Sequence, residues 1–330
     1  MRKNLVTAIS CLLAVLFTVY IVLDTFVIAH VYQLVDSDKT VSKEVQEETQ
    51  SLNAGSESTD NEPYTAAASE TDTAVITDDQ YIDDNISITI KTMRVNETDI
   101  YVADIELSAA EYLKTAFAQS AYGKNITDTT SNMAAEHDAI LAINGDYYGV
   151  QESGYVIRNG VLYRSEGKDK QEDLVIYKDG SMEIINEDDI AAEELLEKGA
   201  ANVLCFGPGL IIDGEITVSE EDEVDKAKSS NPRTAIGIID DLHYIFVVAD
   251  GRTELSEGLS LFELAQFMQS LGAETAYNLD GGGSSTMVFN GEIVNVPVSS
   301  SKKKSGHGSS DSSASSVSER KVSDIIYIGY

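Results

Sequence analysis

The chain has no tryptophan, four prolines, four histidines and two cysteines in 330 residues, and 56 acidic residues outnumber 23 lysines and arginines. Each scarcity excludes something. A formal net charge of −33 repels polyanions, so no nucleic-acid partner is expected, and solubility outside the cell is the simplest use of such a charge. Cys11 lies in an apolar N-terminal run, which leaves Cys205 alone in the folded part, where it cannot form an internal disulfide. Its setting, Val203-Leu204-Cys205-Phe206, reads as an inert buried thiol. His137, His243 and His307 show no metal-ligand spacing, which argues against a zinc or di-metal phosphodiesterase. Ser284 lacks a Gly-x-Ser-x-Gly elbow, so a serine-hydrolase triad is not supported. Oxygen ligands leave little trace in a sequence, so bound Ca²⁺ stays open, although no cofactor is required and the metal ligands are unknown.

Long hydrophobic runs are also scarce. The one that exists, Leu5 to Leu23, would rise about 28 Å as a helix, close to the thickness of a bilayer core. Arg2 and Lys3 precede it, so the N-terminus should stay in the cytoplasm and the remainder be exported. Residues 1–35 therefore read as a cytoplasmic tip and a transmembrane signal-anchor, with cleavage after Val27-Ile28-Ala29 as the alternative. Residues 36–80 are rich in Ser, Thr, Asp and Glu without hydrophobic periodicity, which predicts a disordered acidic stalk. Residues 299–318 form a second low-complexity stretch, containing Lys302-Lys303-Lys304, and read as a mobile loop inserted in the domain.

Residues 81–330 alternate short strands and helices. Ile86–Ile90 and Ile100–Ile105 flank a turn at residues 96–99 and read as a hairpin. Ser108 and Glu111 have the spacing of a capping box and predict a helix to about Gln119. Asn159-Gly160 and Asp179-Gly180 predict two further hairpins, and a short helix is expected over 189–198. Strands are expected over 139–143, 234–239 and 243–249. Ser260 and Glu263 form a second capping box, opening a helix whose Leu261, Leu264, Ala265, Met268 and Leu271 share one face. The expected fold is an α+β domain, a mixed and largely antiparallel sheet with packed helices, preceded by one N-terminal transmembrane helix.

The most informative segment is Asn278-Leu279-Asp280-Gly281-Gly282-Gly283-Ser284-Ser285-Thr286. Three consecutive glycines lose the most backbone entropy on ordering, and they suit a place where the backbone must approach something closely. Two readings stand: a nest of N–H groups that holds an anion beside an acid, or a tight hairpin with a glycine bulge. Five other blocks accompany it: Ala142-Ile143-Asn144-Gly145-Asp146-Tyr147-Tyr148-Gly149, Asn231-Pro232-Arg233-Thr234-Ala235-Ile236-Gly237, Val247-Val248-Ala249-Asp250-Gly251-Arg252, Gly258-Leu259-Ser260-Leu261-Phe262-Glu263-Leu264-Ala265 and Asn290-Gly291-Glu292-Ile293-Val294-Asn295. In this order they resemble the phosphodiester glycosidase family, over roughly residues 81–330 and most densely over 231–296.

The resemblance implies a hydrolase that removes a sugar from a sugar-1-phosphodiester in carbohydrate phosphodiesters of cell-surface polymers, and the apolar N-terminal run places it in an extracellular, single-pass position at the cell membrane. Its rival is a non-catalytic domain that binds such glycans. Glycoside cleavage generally uses two carboxyl groups. Asp250 and Asp280, each at a strand end, form the first pair, with Asp146 and Glu319 in reserve. Arg233 and Arg252 offer guanidinium forks suited to phosphate. Asn144, Thr234, Asn278, Gly281, Gly282, Gly283, Ser284 and Ser285 complete the expected substrate-binding set.

Overall fold

The computed structural model describes residues 2–35, 74–222, 230–298 and 318–330, without the side chains of residues 2–10 and 26. The stalk over 36–73 and nearly all of the 299–318 loop lie outside the described residues.

Three antiparallel sheets meet on one core. The large sheet has nine strands, with the long hairpin Ile86–Val95/Thr98–Leu107 joined through His243–Ala249 and Arg233–Asp240 to Thr275–Leu279. A second sheet of five strands is centred on Leu141–Asn144, which lies between Met287–Phe289 and Asp324–Ile328. A third, also of five, contains the hairpins Val156–Arg158/Val161–Arg164 and Glu172–Tyr177/Met182–Asn186, joined by Ala200–Leu204. Alternation along each strand sends one set of side chains inward. Ile88, Ile105, Phe246 and Leu279 of the large sheet thus share a cluster with Leu141, Ile326, Leu174 and Leu204 of the other two.

The outer faces are covered by short helices. Helix α1 is Arg2–Phe26, α2 is Thr130–Glu136, α3 is Ala192–Glu197 and α4 is Leu261–Ser270. Leu264, Ala265 and Met268 of α4 pack on Ala235, Val247 and Ala276 of the large sheet. Met133 and Ala134 of α2 cover Ala142 and Ile325 of the second sheet, and Ala192 and Leu195 of α3 cover Val175 and Val203 of the third. The expected mixture of largely antiparallel sheet and packed helices is present.

Several expectations change. The Ser108/Glu111 spacing does not open a long helix. A single 3-10 turn, Ala110–Tyr112, leads into the strand Leu113–Phe117, which pairs along its length with Asp324–Ile328. Leu113, Thr115 and Phe117 are buried, so sheet pairing and packing override the local capping signal. The stalk boundary also moves: Val75–Ile76 and Gln80–Ile82 already pair at the edge of the large sheet. Before the undescribed segment, His30–Leu34 pairs with Ala121–Lys124, and Asn125 Nδ2 donates to the Thr25 and Ile28 carbonyls (3.2 and 3.1 Å). The end of α1 is thereby attached to the domain. Among the described residues no helix is long and apolar enough to cross a membrane, so the expected transmembrane span is not shown.

The Ser260 box does form. Its Oγ accepts from the Glu263 N–H (3.1 Å) while Glu263 Oε2 accepts from the Ser260 N–H (2.9 Å). Ser260→Ala should lower stability by about 1 kcal/mol in urea unfolding without changing the m-value, since a cap is lost and no compact unit is.

Candidate active site

The three-glycine segment is not a hairpin. Thr275–Leu279 belongs to the large sheet and Met287–Phe289 to the second, so residues 280–286 carry the chain from one sheet to the other. Asp280 therefore sits at the mouth between two sheets. Asn144, at the end of its own strand, locks this crossing: its Nδ2 donates to the Asp280 carbonyl (2.6 Å), and its Oδ1 accepts from Thr234 Oγ1 (2.9 Å) and the Thr286 N–H (3.3 Å). Asn144 and Thr234 are fully buried. They were expected to touch substrate, and the structure instead spends their polar atoms on holding the backbone of Asp280. Asn278 does likewise through Nδ2 to the Gly207 carbonyl (2.7 Å), while its Oδ1 has no partner among the described residues.

The glycines have a specific reason. A Cβ on Gly282, whose φ is +66°, would lie 3.1 Å from Arg252 Nη2, and one on Gly283 would lie 3.0 Å from Arg320 Nε. Two guanidiniums thus rest on consecutive glycines, and a Cβ there would crowd them by a few tenths of an ångström. Arg252 is fixed by Asn231 Oδ1, which accepts from its Nε (3.1 Å) and Nη2 (2.8 Å). Its backbone occupies the left-handed region (φ +58°), a strained choice for a non-glycine that fits a functional position. Arg320 Nη1 reaches Ser284 Oγ (3.3 Å) and lies 3.9 Å from Asp280 Oδ2. Burial and the charge of Arg320 both push the Arg252 pKa down, as expected for two neighbouring cations.

The two first-choice acids come together around this turn. Ser284 Oγ donates to Asp280 Oδ2 (2.5 Å). Asp250 Oδ1 accepts from Asn295 Nδ2 (3.1 Å) and the Val296 N–H (3.0 Å), and the same Asn295 Nδ2 reaches the Ser285 carbonyl (3.0 Å). Burial pushes both carboxyls above the usual range. For Asp280 the Ser284 hydroxyl and Arg320 partly offset it, and for Asp250 the Val296 N–H, Asn295 and Tyr101 do. Ser285 Oγ and Thr286 Oγ1, both buried, have no partner among the described residues.

The two reserve acids go elsewhere. Glu319 accepts from the N–H (3.1 Å) and hydroxyl of Ser131 at the start of α2. Asp146 is buried against Arg158, whose Nη2 bonds Asp146 Oδ2 and Asp324 Oδ2 (2.7 Å each). Arg233 is buried as well, with Nε donating to the Leu259 carbonyl (2.9 Å), so its guanidinium does not stand open over the turn. Arg320 was missed, as were Asn231 and Asn295 as holders of Arg252 and Asp250. A cavity of about 430 Å³, lined by Lys170, Gln171, Phe206, Pro208, Val218 and Leu261, touches the site only through the Gly207 carbonyl that Asn278 binds. Its lining also includes the acids Glu172 and Asp222 but no guanidinium, so the glycine turn is the better candidate for a phosphate-bearing ligand.

A profile of the family described as "Phosphodiester glycosidase" matches residues 137–328, which contain Asp250, Asp280, Arg252, Arg320 and the glycine turn. The chain belongs to the phosphodiester glycosidase family. It is similar to the SPbeta prophage-derived uncharacterized protein YomE of Bacillus subtilis (strain 168), at 28% identity over 67% of this chain and 37% of that protein. It is also similar to the N-acetylglucosamine-1-phosphodiester alpha-N-acetylglucosaminidase of Mus musculus, at 30% identity over 51% of this chain and 35% of that one. The chain thus spans little more than a third of the curated relatives it matches. Its fold resembles the catalytic domain of the zebrafish N-acetylglucosamine-1-phosphodiester alpha-N-acetylglucosaminidase (TM-score 0.57, 22% identity, 74% of this chain and 83% of that). It also resembles a hypothetical protein from Synechocystis (TM-score 0.55, 15% identity, 74% of this chain and 62% of that).

Arg158 separates a structural role for Asp146 from a catalytic one. Arg158→Met leaves two buried carboxylates without their cation and should cost about 3–5 kcal/mol in denaturant unfolding. Asp146→Asn should lower the melting temperature while leaving the kcat of the folded fraction within a few-fold; loss of turnover at unchanged stability would restore Asp146 as a catalytic acid.

Proposed function

We propose that this domain hydrolyses sugar-1-phosphodiesters, releasing a free sugar and a phosphomonoester. The observation that carries the reading is the pair Arg252 and Arg320 seated on Gly282 and Gly283 beside the buried Asp280. A phosphodiester brings the anion that the two repelling guanidiniums lack, and each offers a planar fork to its oxygens. The bond that breaks joins the anomeric carbon to the phosphate oxygen, and water adds to that carbon. The departing phosphate takes the electron pair, and the arginine pair stabilises its charge more in the transition state than in the bound substrate. Such a leaving group needs little protonation, so the carboxyls serve chiefly to take the proton of water and to face the developing positive charge on the sugar. Asp280, the nearer to the cradle, is assigned the base, and Asp250 the supporting carboxylate. A base whose pKa is raised toward the working pH is the more effective for it. Ser285 Oγ and Thr286 Oγ1 are suited to sugar hydroxyls.

The natural substrate is proposed to be a phosphate-linked surface polysaccharide or teichoic-acid-like polymer, met outside the cell by a domain held at the membrane through α1. Support comes from the apolar composition of residues 5–23 with Arg2 and Lys3 ahead of them, and from the acidic exterior.

The direct test incubates the purified chain with UDP-GlcNAc or a GlcNAc-1-phosphodiester and measures free sugar. Sugar release is expected, and Asp280→Asn should reduce it by about 10²–10⁴-fold with the fold intact. Binding of the substrate without turnover would replace the hydrolase by a glycan-binding domain.

The pH profile supplies a second check. Activity that needs ionised Asp280 rises with pH through the raised pKa of that group, so the acidic limb should lie above the ordinary carboxylate range. Arg320 is one of the influences holding that pKa down, so Arg320→Gln should move the limb to higher pH and lower kcat/KM by about 10–100-fold. A limb that stays in place or moves to lower pH would detach Asp280 from the base role.

A further inference from the structure

We propose that Asp173, Glu187 and Cys205 form a binding site for a borderline-soft divalent cation of the zinc class, apart from the glycine turn. The three side chains come from neighbouring strands of the third sheet. Leu174 pairs with Leu204, which sets Asp173 across from Cys205, and Asp173 pairs with Ile185, two residues before Glu187. With a period of two along a strand, all three fall on one face. Their ligand atoms lie within 4.8 Å of one another, and all three residues are buried. Two ligands on one tetrahedral zinc stand about 3.5 Å apart, so a small contraction closes the set.

The second observation is Asp173 itself. It is 0% exposed, and among the described residues neither carboxylate oxygen accepts from an N–H or hydroxyl; only the other two members of the cluster, the Glu187 carboxyl and the Cys205 thiol, stand beside it. A buried carboxyl in that condition is costly unless something occupies its lone pairs. Glu187, by contrast, is oriented as a ligand would be: Oε1 accepts from the Tyr155 N–H (2.7 Å) and Oε2 from the Lys168 N–H (2.5 Å), leaving each oxygen a free lone pair. Gln151 Oε1 accepts from the Cys205 thiol (4.0 Å), which orients the sulfur. Gly154 (φ +99°) abuts the thiol, where any Cβ would collide with Sγ.

Without an ion the site resists charge. Burial and the neighbouring carboxyls raise the pKa of the thiol, and burial together with Glu187 raises that of Asp173. A divalent cation binds the thiolate, so the Cys205 S–H proton leaves to solvent as the metal–sulfur bond forms, and affinity rises with pH. One thiolate with carboxylate oxygens suits zinc rather than calcium or magnesium, which take oxygen alone. The exposed segment 165–170, which donates the Lys168 N–H to Glu187, offers the entry path.

The test titrates the full chain, stripped of metal, with Co²⁺ as a spectroscopic surrogate for zinc. Expected are one equivalent per chain, a thiolate-to-cobalt charge-transfer band, displacement by Zn²⁺, and binding that tightens as pH rises. Cys205→Ser should abolish the band and Cys11→Ser should leave it. Asp173→Asn, which buries no acid and so should fold, should weaken binding by at least about 10-fold. Folded wild-type chain that takes up no cobalt would show that Asp173 and Glu187 merely share a proton, and would overturn the site. So would a band that survives Cys205→Ser. Neither readout depends on glycosidase turnover, so the site and the proposed hydrolysis stand or fall separately.

Discussion

One buried guanidinium ties the sheets together. Arg158 ends a strand of the third sheet and binds Asp146 and Asp324 of the second, through Nη2 to both and Nε to Asp324 (3.1 Å). It is 2% exposed and also donates to the Val203 and Ile157 carbonyls. Burial works against its charge, yet the two carboxylates outweigh it and hold its pKa above the ordinary value. Burial and the charge of Asp146 push Asp324 the other way for an acid, upward. The arrangement continues to the active site, because Gly145 donates to the Asp324 carbonyl (3.0 Å) and accepts from the Asp280 N–H (3.4 Å). Burying such a triad adds little net stability, since desolvation consumes most of what attraction supplies. Its effect is registration: the third sheet has one position against the second, and Asp280 inherits it.

Around that fixed frame the site gathers positive charge in a molecule of net charge −33. Long-range steering would turn an anionic polymer away, the more so at low salt. The attraction must therefore be local, and the glycine turn supplies it at close range, where two guanidiniums sit in a partly desolvated place. Their mutual repulsion is a cost of the free protein that the proposed phosphate would remove. The donors are already held in place by Asn231 and Ser284, which is how preorganised charge contributes most.

How much could be read from the chain depended on how local the governing chemistry is. Asn159-Gly160 dictates a two-residue turn in which both residues have positive φ (+51° and +72°), and Asp179-Gly180 a longer loop in which Gly180 alone has it (+91°). Ser260 with Glu263 caps a helix for the same reason. Ser108 with Glu111 carries an equal signal, but Leu113–Phe117 had a partner strand more than 200 residues later, which no window of sequence displays. At the site, Asp250 and Asp280 were legible as acids at strand ends. Asp146 looked the same, since an aspartate after a glycine reads alike whether it faces substrate or a buried arginine. Arg320 was illegible: it comes after a low-complexity stretch, and only the return of the chain to Gly283 gives it meaning (Arg320 N–H to Gly283 carbonyl, 3.1 Å).

The strand His30–Leu34 has a mechanical consequence. An enzyme on a flexible tether of 38 residues, the length of segment 36–73, would sweep a radius of roughly 35 Å and sample every orientation. Here the backbone immediately after α1 is stitched to Ala121–Lys124, ahead of that segment, so the segment sets neither height nor heading. Wherever α1 sits, the domain follows it at a nearly constant distance and tilt, because a paired strand and the Asn125 bonds join the two directly.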